Sequence, residues 1–180
     1  LMQGQPHIEP QMEFKLGMLS AVANHLDLDD GQLLENLHSV QAQNSISPDA
    51  ELRCIEEDIE DAEGRRTIRF PNFSVEMETG TGKTYVYLRT ILELNKRYGL
   101  RKFIVVVPSV AIREGVLKTF QVTEDHFARL YDNQVLRYYQ YDSSNLSQVR
   151  QFALSDAVEV MIMTIDSFNK AANVIRQSTD

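Results

Sequence analysis

The segment Met77-Glu78-Thr79-Gly80-Thr81-Gly82-Lys83-Thr84 constrains this chain more than any other. Phe73 to Met77, before it, reads as a strand. Val86, Leu88, Ile91, Leu92 and Leu94, after it, read as the apolar face of a helix that starts at Lys83. A strand that ends in such a loop can turn its backbone N–H groups inward and hold an anion. Gly80 and Gly82 suit that shape, because glycine reaches positive φ and has no Cβ to block a ligand. Lys83, in the first helical turn, can reach the outer oxygens of a phosphate chain, and the helix start adds its own partial positive charge. Thr84 then supplies a hydroxyl for Mg²⁺. The strict pattern Gly-x4-Gly-Lys-Ser/Thr would put a glycine at position 77, where this chain has Met77. The plainer alternative is a glycine turn before a basic helix start. The strand before and the leucine-rich helix after favour a phosphate loop made by Thr79, Gly80, Thr81, Gly82, Lys83 and Thr84.

The rest of the second half alternates strand and helix. Phe103-Ile104-Val105-Val106-Val107 is an unbroken apolar run, as expected of a strand buried on both faces. Pro108-Ser109 stops it, and a helix follows through Val116 and Phe120. Gly99 suits the end of the helix before it. Leu136 to Tyr141 and Val158 to Thr164 are further strands, with a turn at Ser143 to Asn145 and a short helix between them. This rhythm predicts an open, mostly parallel α/β sheet with crossover helices.

The first third differs. Residues 1–10 read as irregular, and residues 11–25 as a helix with Phe14, Met18 and Val22 on one face. Asp29 or Asp30 caps a second helix whose stripe is Leu33, Leu34, Leu37 and Val40, and Asn44 to Pro48 break it. The acidic run 51–63 reads as a solvated helix face or an acidic loop. It lacks the alternating Asp/Asn and the glycine of a helix-loop-helix calcium site. The expected organisation is an acidic helical or irregular segment over 1–64 and an α/β domain over 65–180.

Composition narrows the class. At 43% hydrophobic residues the chain can build a core, and no apolar run approaches the roughly 18 residues of a membrane span. No secretory signal is visible, and the chain opens on Leu1 rather than Met, so a start inside a longer protein is expected. A single cysteine, Cys54, fits a reducing, cytoplasmic setting. The four histidines are scattered without metal-ligand spacing. Net charge is −8, unevenly spread: −12 over residues 1–64, +7 over 65–120 and −3 over 121–180. The central segment would suit a polyanion bound in one place; ordinary solvated charge is the alternative.

Thr79-Gly80-Thr81-Gly82-Lys83-Thr84 without the first glycine resembles motif I of superfamily 2 helicases and translocases. Val107-Pro108-Ser109-Val110-Ala111-Ile112-Arg113-Glu114-Gly115 resembles that superfamily's motif Ia. Thr164-Ile165-Asp166-Ser167-Phe168-Asn169-Lys170 falls where a later strand-end motif contacts nucleic acid. Together these segments, within residues 73–170, are similar to the restriction subunit of type III restriction-modification enzymes. The resemblance implies a RecA-like, phosphate-loop NTPase domain, the first of a motor that uses ATP and Mg²⁺. It implies translocation on double-stranded DNA and work beside a modification methyltransferase subunit, with a nuclease domain far downstream. It makes Lys83 and Thr84 the catalytic phosphate and Mg²⁺ residues. Ser109, Arg113, Thr164 and Ser167 become contacts to the DNA backbone.

Hydrolysis in this class needs an Asp for Mg²⁺ and a Glu that orients water, at the end of a buried strand. The 180 residues hold no Asp-Glu dipeptide. The chain is therefore expected to stop before that motif and to be inactive alone. An adenine-reading glutamine is expected upstream of the loop, with Gln41 and Gln43 available. Two other readings compete. A small-molecule nucleotide kinase would need an arginine-rich lid, and residues 121–180 offer only widely spaced cations. A nucleotide-binding module without chemistry of its own is the other.

Overall fold

The computed structural model describes residues 1–7, 27–61, 64–142 and 144–169. The chain divides into two compact units between Glu78 and Thr79. The helix expected over 11–25 lies outside the described residues.

In the first unit, α1 (Asp30–Gln43) begins where the sequence places it. The Asp29 carboxylate accepts from the Gln32 N–H at 2.8 Å, and the Gln32 side chain accepts from the Asp29 N–H at 3.0 Å, so two amides at the helix start are satisfied reciprocally. Leu33 is buried. The helix ends before Asn44, and Ser45 turns the chain with φ 57°. Buried Gln41 holds the following loop: its amide donates to Asp49 Oδ2 and accepts from the Asp49 N–H, both at 3.1 Å. A glutamine that sequence alone leaves available for a base is thus engaged with its own loop.

The acidic run is neither helix nor loop. Cys54–Asp61 is a strand, β1, paired antiparallel with β2 (Gly64–Pro71), from Cys54↔Pro71 to Asp61↔Gly64. Cross-strand charge explains it. Glu56 faces Arg69, Asp58 faces Thr67 and Glu60 faces Arg65 on one side of the hairpin. Asp58 accepts from Arg65 Nη2 at 2.8 Å and from Thr67 Oγ1 at 2.7 Å, and Arg69 reaches Asp30 Oδ2 at 2.6 Å. Ile55, Ile59, Ile68 and Phe70 share the other side. The shift from acidic to basic sequence at 64/65 falls at the hairpin tip, where Gly64 turns with φ 117°.

This pairing changes the meaning of the basic central segment. Of its 11 cations, Arg65, Arg69, Lys96, Arg97, Arg101, Lys102 and Arg113 have acidic partners. Five of the partners, Asp30, Asp58, Asp132, Asp156 and Glu159, lie outside the central segment, so part of the charge segregated in sequence is matched in space.

The Arg65 and Thr67 hydrogen bonds hold the Asp58 carboxyl below the ordinary aspartate value. A carboxylate depressed in the fold stabilises above its unfolded pKa, and that contribution is lost as pH falls through the folded one. An NMR titration of the Asp58 carboxyl is therefore expected to give a midpoint below the ordinary value. Arg65→Ala should move that midpoint upward, and an unchanged midpoint would dissociate the two side chains.

Phe73 to Met77 is not a strand. Asn72 donates to the Arg53 carbonyl at 2.8 Å, which closes the base of the hairpin, and residues 72–78 then run without regular structure. Strand-forming residues become a strand only against an open edge, and no described segment pairs with these.

The second unit is an α/β sheet. Its elements are α2 (Lys83–Tyr98), β3 (Lys102–Val107), α3 (Val110–Leu130), β4 (Leu136–Gln140), α4 (Leu146–Leu154), β5 (Val158–Thr164) and α5 (Ile165–Asn169). The strand order is β3-β5-β4, parallel throughout. Every residue of central β5 is buried. The run at Phe103 to Val107, expected to be buried on both faces, lies instead at the end of this sheet. There Ile104 and Val106 are half exposed. Leu88, Ile91 and Leu92 of α2 and Val116, Phe120 and Phe127 of α3 form one core with Val107, Val160 and Ile162. Met161, Met163 and Tyr141 pack on the other face, against Val149 and Phe152 of α4. Side chains alternating along β5 thus feed two helical layers.

One row of this sheet is ionic. Lys102, Glu159 and Arg137 are opposite one another on β3, β5 and β4. Glu159 is 3% exposed in its side chain. Lys102 Nζ lies 3.2 Å from it and Arg137 Nη1 3.9 Å. Lys102 also donates to the Ala157 carbonyl at 3.1 Å and lies over the Phe152 ring. Tyr139, beside this group, has its phenol pushed up to about 12, first by burial and then by the Glu159 charge.

Candidate functional site

Gly80 and Gly82 both take positive φ, 83° and 88°, as the sequence requires of a loop that turns its amides inward. Gly82 caps α2 in the left-handed conformation (ψ 30°). Gly82 has no side chain with which to cap the helix, and the first turn holds no acidic residue, which suits an anion at this helix start. A Cβ added at either glycine would meet nothing within 4 Å. The demand for glycine is therefore conformational, and the space in front of the loop is open. Lys83 is exposed and has no ion-pair partner among the described residues. Thr84 is half-buried.

Two tyrosines fix the helix behind the loop. Tyr85 Oη lies 2.9 Å from His126 Nε2, and its ring packs on Phe127 with centroids 4.9 Å apart. Tyr87 lies against the core. Burial pushes its phenol up, partly opposed by the nearby Thr84 hydroxyl. The pair does not reach hydrogen-bond geometry. Tyr87 Oη is, among the described residues, a buried side-chain oxygen with no hydrogen-bond partner. Sequence reasoning passed over both residues; the signal was two polar-tipped aromatics in the first turns of the helix.

The remaining site candidates gather elsewhere. Val107 and Thr164 are in register at the carboxyl ends of β3 and β5, so Ser109, Thr164 and Ser167 share that edge. Ser109 is exposed and caps α3, accepting from the Ile112 N–H at 3.4 Å. Thr164 is buried. Its hydroxyl lies 2.8 Å from Ser167 Oγ and accepts from the Ser167 N–H at 3.2 Å. The Arg113 side chain is 11% exposed and bound to Glu114 Oε1 at 2.9 and 3.2 Å. His126, against which Tyr85 rests, is 17 residues along α3 from Ser109, about 25 Å at the helical rise. The Tyr85 side chain behind the loop thus meets the half of α3 far from Ser109. The segment before the loop has no regular structure, and the loop opens directly into α2.

An apolar hollow of about 120 Å³ between α2, α3 and β4 is lined by Leu88, Leu92, Phe120, Phe127, Val135 and Tyr138 among others. No cation lines it, so it offers nothing to phosphate.

A parallel α/β sheet with helices on both faces, and a left-handed glycine opening a helix, define a partial RecA-like α/β fold of the helicase-like kind. The chain belongs to the type III restriction enzyme res subunit family, whose model matches residues 35–180. It is 29% identical over 168 residues to the Type III restriction-modification enzyme EcoP15I Res subunit of Escherichia coli, covering 92% of this chain and 15% of that protein. It is 30% identical over 147 residues to the EcoPI Res subunit of Escherichia phage P1, covering 81% and 14%. A 64-residue stretch is 52% identical to the StyLTI Res subunit of Salmonella typhimurium, covering 34% of this chain and 6% of that protein. The chain thus spans a small part of the length of these relatives. Among the described residues, no helix is long and apolar enough to cross a membrane.

Proposed function

We propose that this chain carries the ATP-binding part of a DNA-dependent motor, within the restriction subunit of a cytoplasmic type III restriction-modification system. The observation that carries the reading is the glycine loop. Its left-handed Gly82 opens a helix whose first turn holds no acidic residue, beside a Lys83 that has no ion-pair partner among the described residues. A nucleoside triphosphate fits these residues. The N–H groups of Thr79 to Thr84 would hold its phosphates, Lys83 its outer charge, and Thr84 the Mg²⁺ that accompanies it. The ion would neutralise charge building up on the phosphates. In this reading the parent protein turns hydrolysis into movement along double-stranded DNA, and cleavage with a modification methyltransferase subunit follows.

The carboxyl edge of β3 and β5 is the proposed DNA contact. Ser109 is accessible and offers a hydroxyl to a phosphate, with Ser167 and Thr164 beside it. Arg113 contributes once it leaves Glu114. Because seven central cations are already paired, binding should be weak, indifferent to sequence and shallow in its salt dependence. Fluorescence anisotropy with two unrelated duplexes tests this. Arg113→Ala should weaken both about equally, and Glu114→Gln, which frees the guanidinium, should strengthen both. A strong preference for one duplex, or no response to either substitution, would remove this edge as the backbone contact.

A further inference from the structure

We propose that Tyr87 is a positioning residue for Thr84: its Oη accepts the Thr84 hydroxyl proton when Thr84 turns its oxygen lone pairs to a Mg²⁺-nucleotide. The inference rests on the phosphate-loop reading above and assigns a role to a residue that reading does not use.

The two residues are three apart on α2, so they are neighbours on one helix face. Helical side chains lean back towards the amino end of their helix, which lays Tyr87 over the turn that contains Thr84. The Tyr87 ring is set by packing against the core. Its oxygen is buried and has no hydrogen-bond partner, an arrangement that native structures rarely leave without a purpose. A threonine that ligates a metal uses an oxygen lone pair, and its remaining O–H must point away from the cation. A buried acceptor beside it fixes that orientation, as outer hydrogen bonds do for other metal ligands. Thr84 sits about one turn before Tyr87 on the same helix, and the Tyr87 oxygen makes no hydrogen bond to it. Rotation of the hydroxyl towards a bound ion would orient the Thr84 O–H and give the buried Tyr87 oxygen a donor.

The test is a titration of a fluorescent ATP analogue into the wild-type chain, Tyr87→Phe, Thr84→Ala and the double variant, each with Mg²⁺ and with EDTA. Phenylalanine keeps the ring and its packing, so a purely structural role would leave every affinity unchanged. Tyr87→Phe is expected to weaken Mg²⁺-nucleotide binding about three- to tenfold, the range of one hydrogen bond, and to leave metal-free binding unaltered. In the Thr84→Ala background it should have no further effect. Equal Mg²⁺-dependent affinities for wild type and Tyr87→Phe would overturn the proposal while leaving the phosphate loop standing. So would a loss of the same size in EDTA, or one that persists without the Thr84 hydroxyl. Absence of any nucleotide binding by the wild-type chain would overturn the phosphate-loop reading and this inference with it.

Discussion

Lys83→Ala is expected to weaken binding of ATP·Mg²⁺ about tenfold to hundredfold. Lys83 starts α2, is exposed, and has no acidic partner among the described residues, so its charge is available to a ligand. In the proposed site it is the cation nearest the outer phosphates. A charge-assisted hydrogen bond contributes about 1.5–3 kcal/mol, and each ~1.4 kcal/mol is a factor of ten in affinity. Lys83→Arg keeps the charge but changes its reach, so it should recover only part of the loss. Isothermal calorimetry on the three proteins checks this, and equal affinities would remove Lys83 from the site.

The second large effect lies in the sheet. Lys102→Met should destabilise the chain by about 3 kcal/mol, because it leaves the Glu159 carboxylate buried beneath methylenes with only the distant Arg137 to answer it. For a chain of this size that is a fall of roughly 10 °C in Tm. The double variant Lys102→Met, Glu159→Leu removes the stranded charge along with the pair and should regain most of the loss. Urea unfolding of the three proteins tests the ladder. A neutral single variant would mean that Glu159 is solvated in spite of its 3% exposure.

What was legible in the sequence was local. The Asp29 cap, the left-handed glycines at 80, 82 and 99, and the Ser109 stop after β3 each follow from one residue's own chemistry. The parallel α/β rhythm was legible too, since β4, α4 and β5 fall where the pattern placed them. The misread features all depend on a partner distant in sequence. Glu56, Asp58 and Glu60 read as a solvated acidic face until Arg65, Thr67 and Arg69 are laid opposite them. The apolar run at Phe103 to Val107 cannot reveal that β5, not β3, is central. Phe73 to Met77 has the composition of a strand and no described neighbour to make it one. For the site, the glycine geometry was readable and the place of the loop was not. Tyr85 meets His126 through tertiary packing that spacing does not encode.

Amide hydrogen exchange of the 180-residue chain, with and without ATP·Mg²⁺, is the most direct measurement of the central claim. If the start of α2 is a phosphate site, protection should rise at the N–H groups of residues 79–84 and fall sharply in Lys83→Ala at the same nucleotide concentration. Unchanged exchange there, or protection confined to the Ser109 edge, would contradict it.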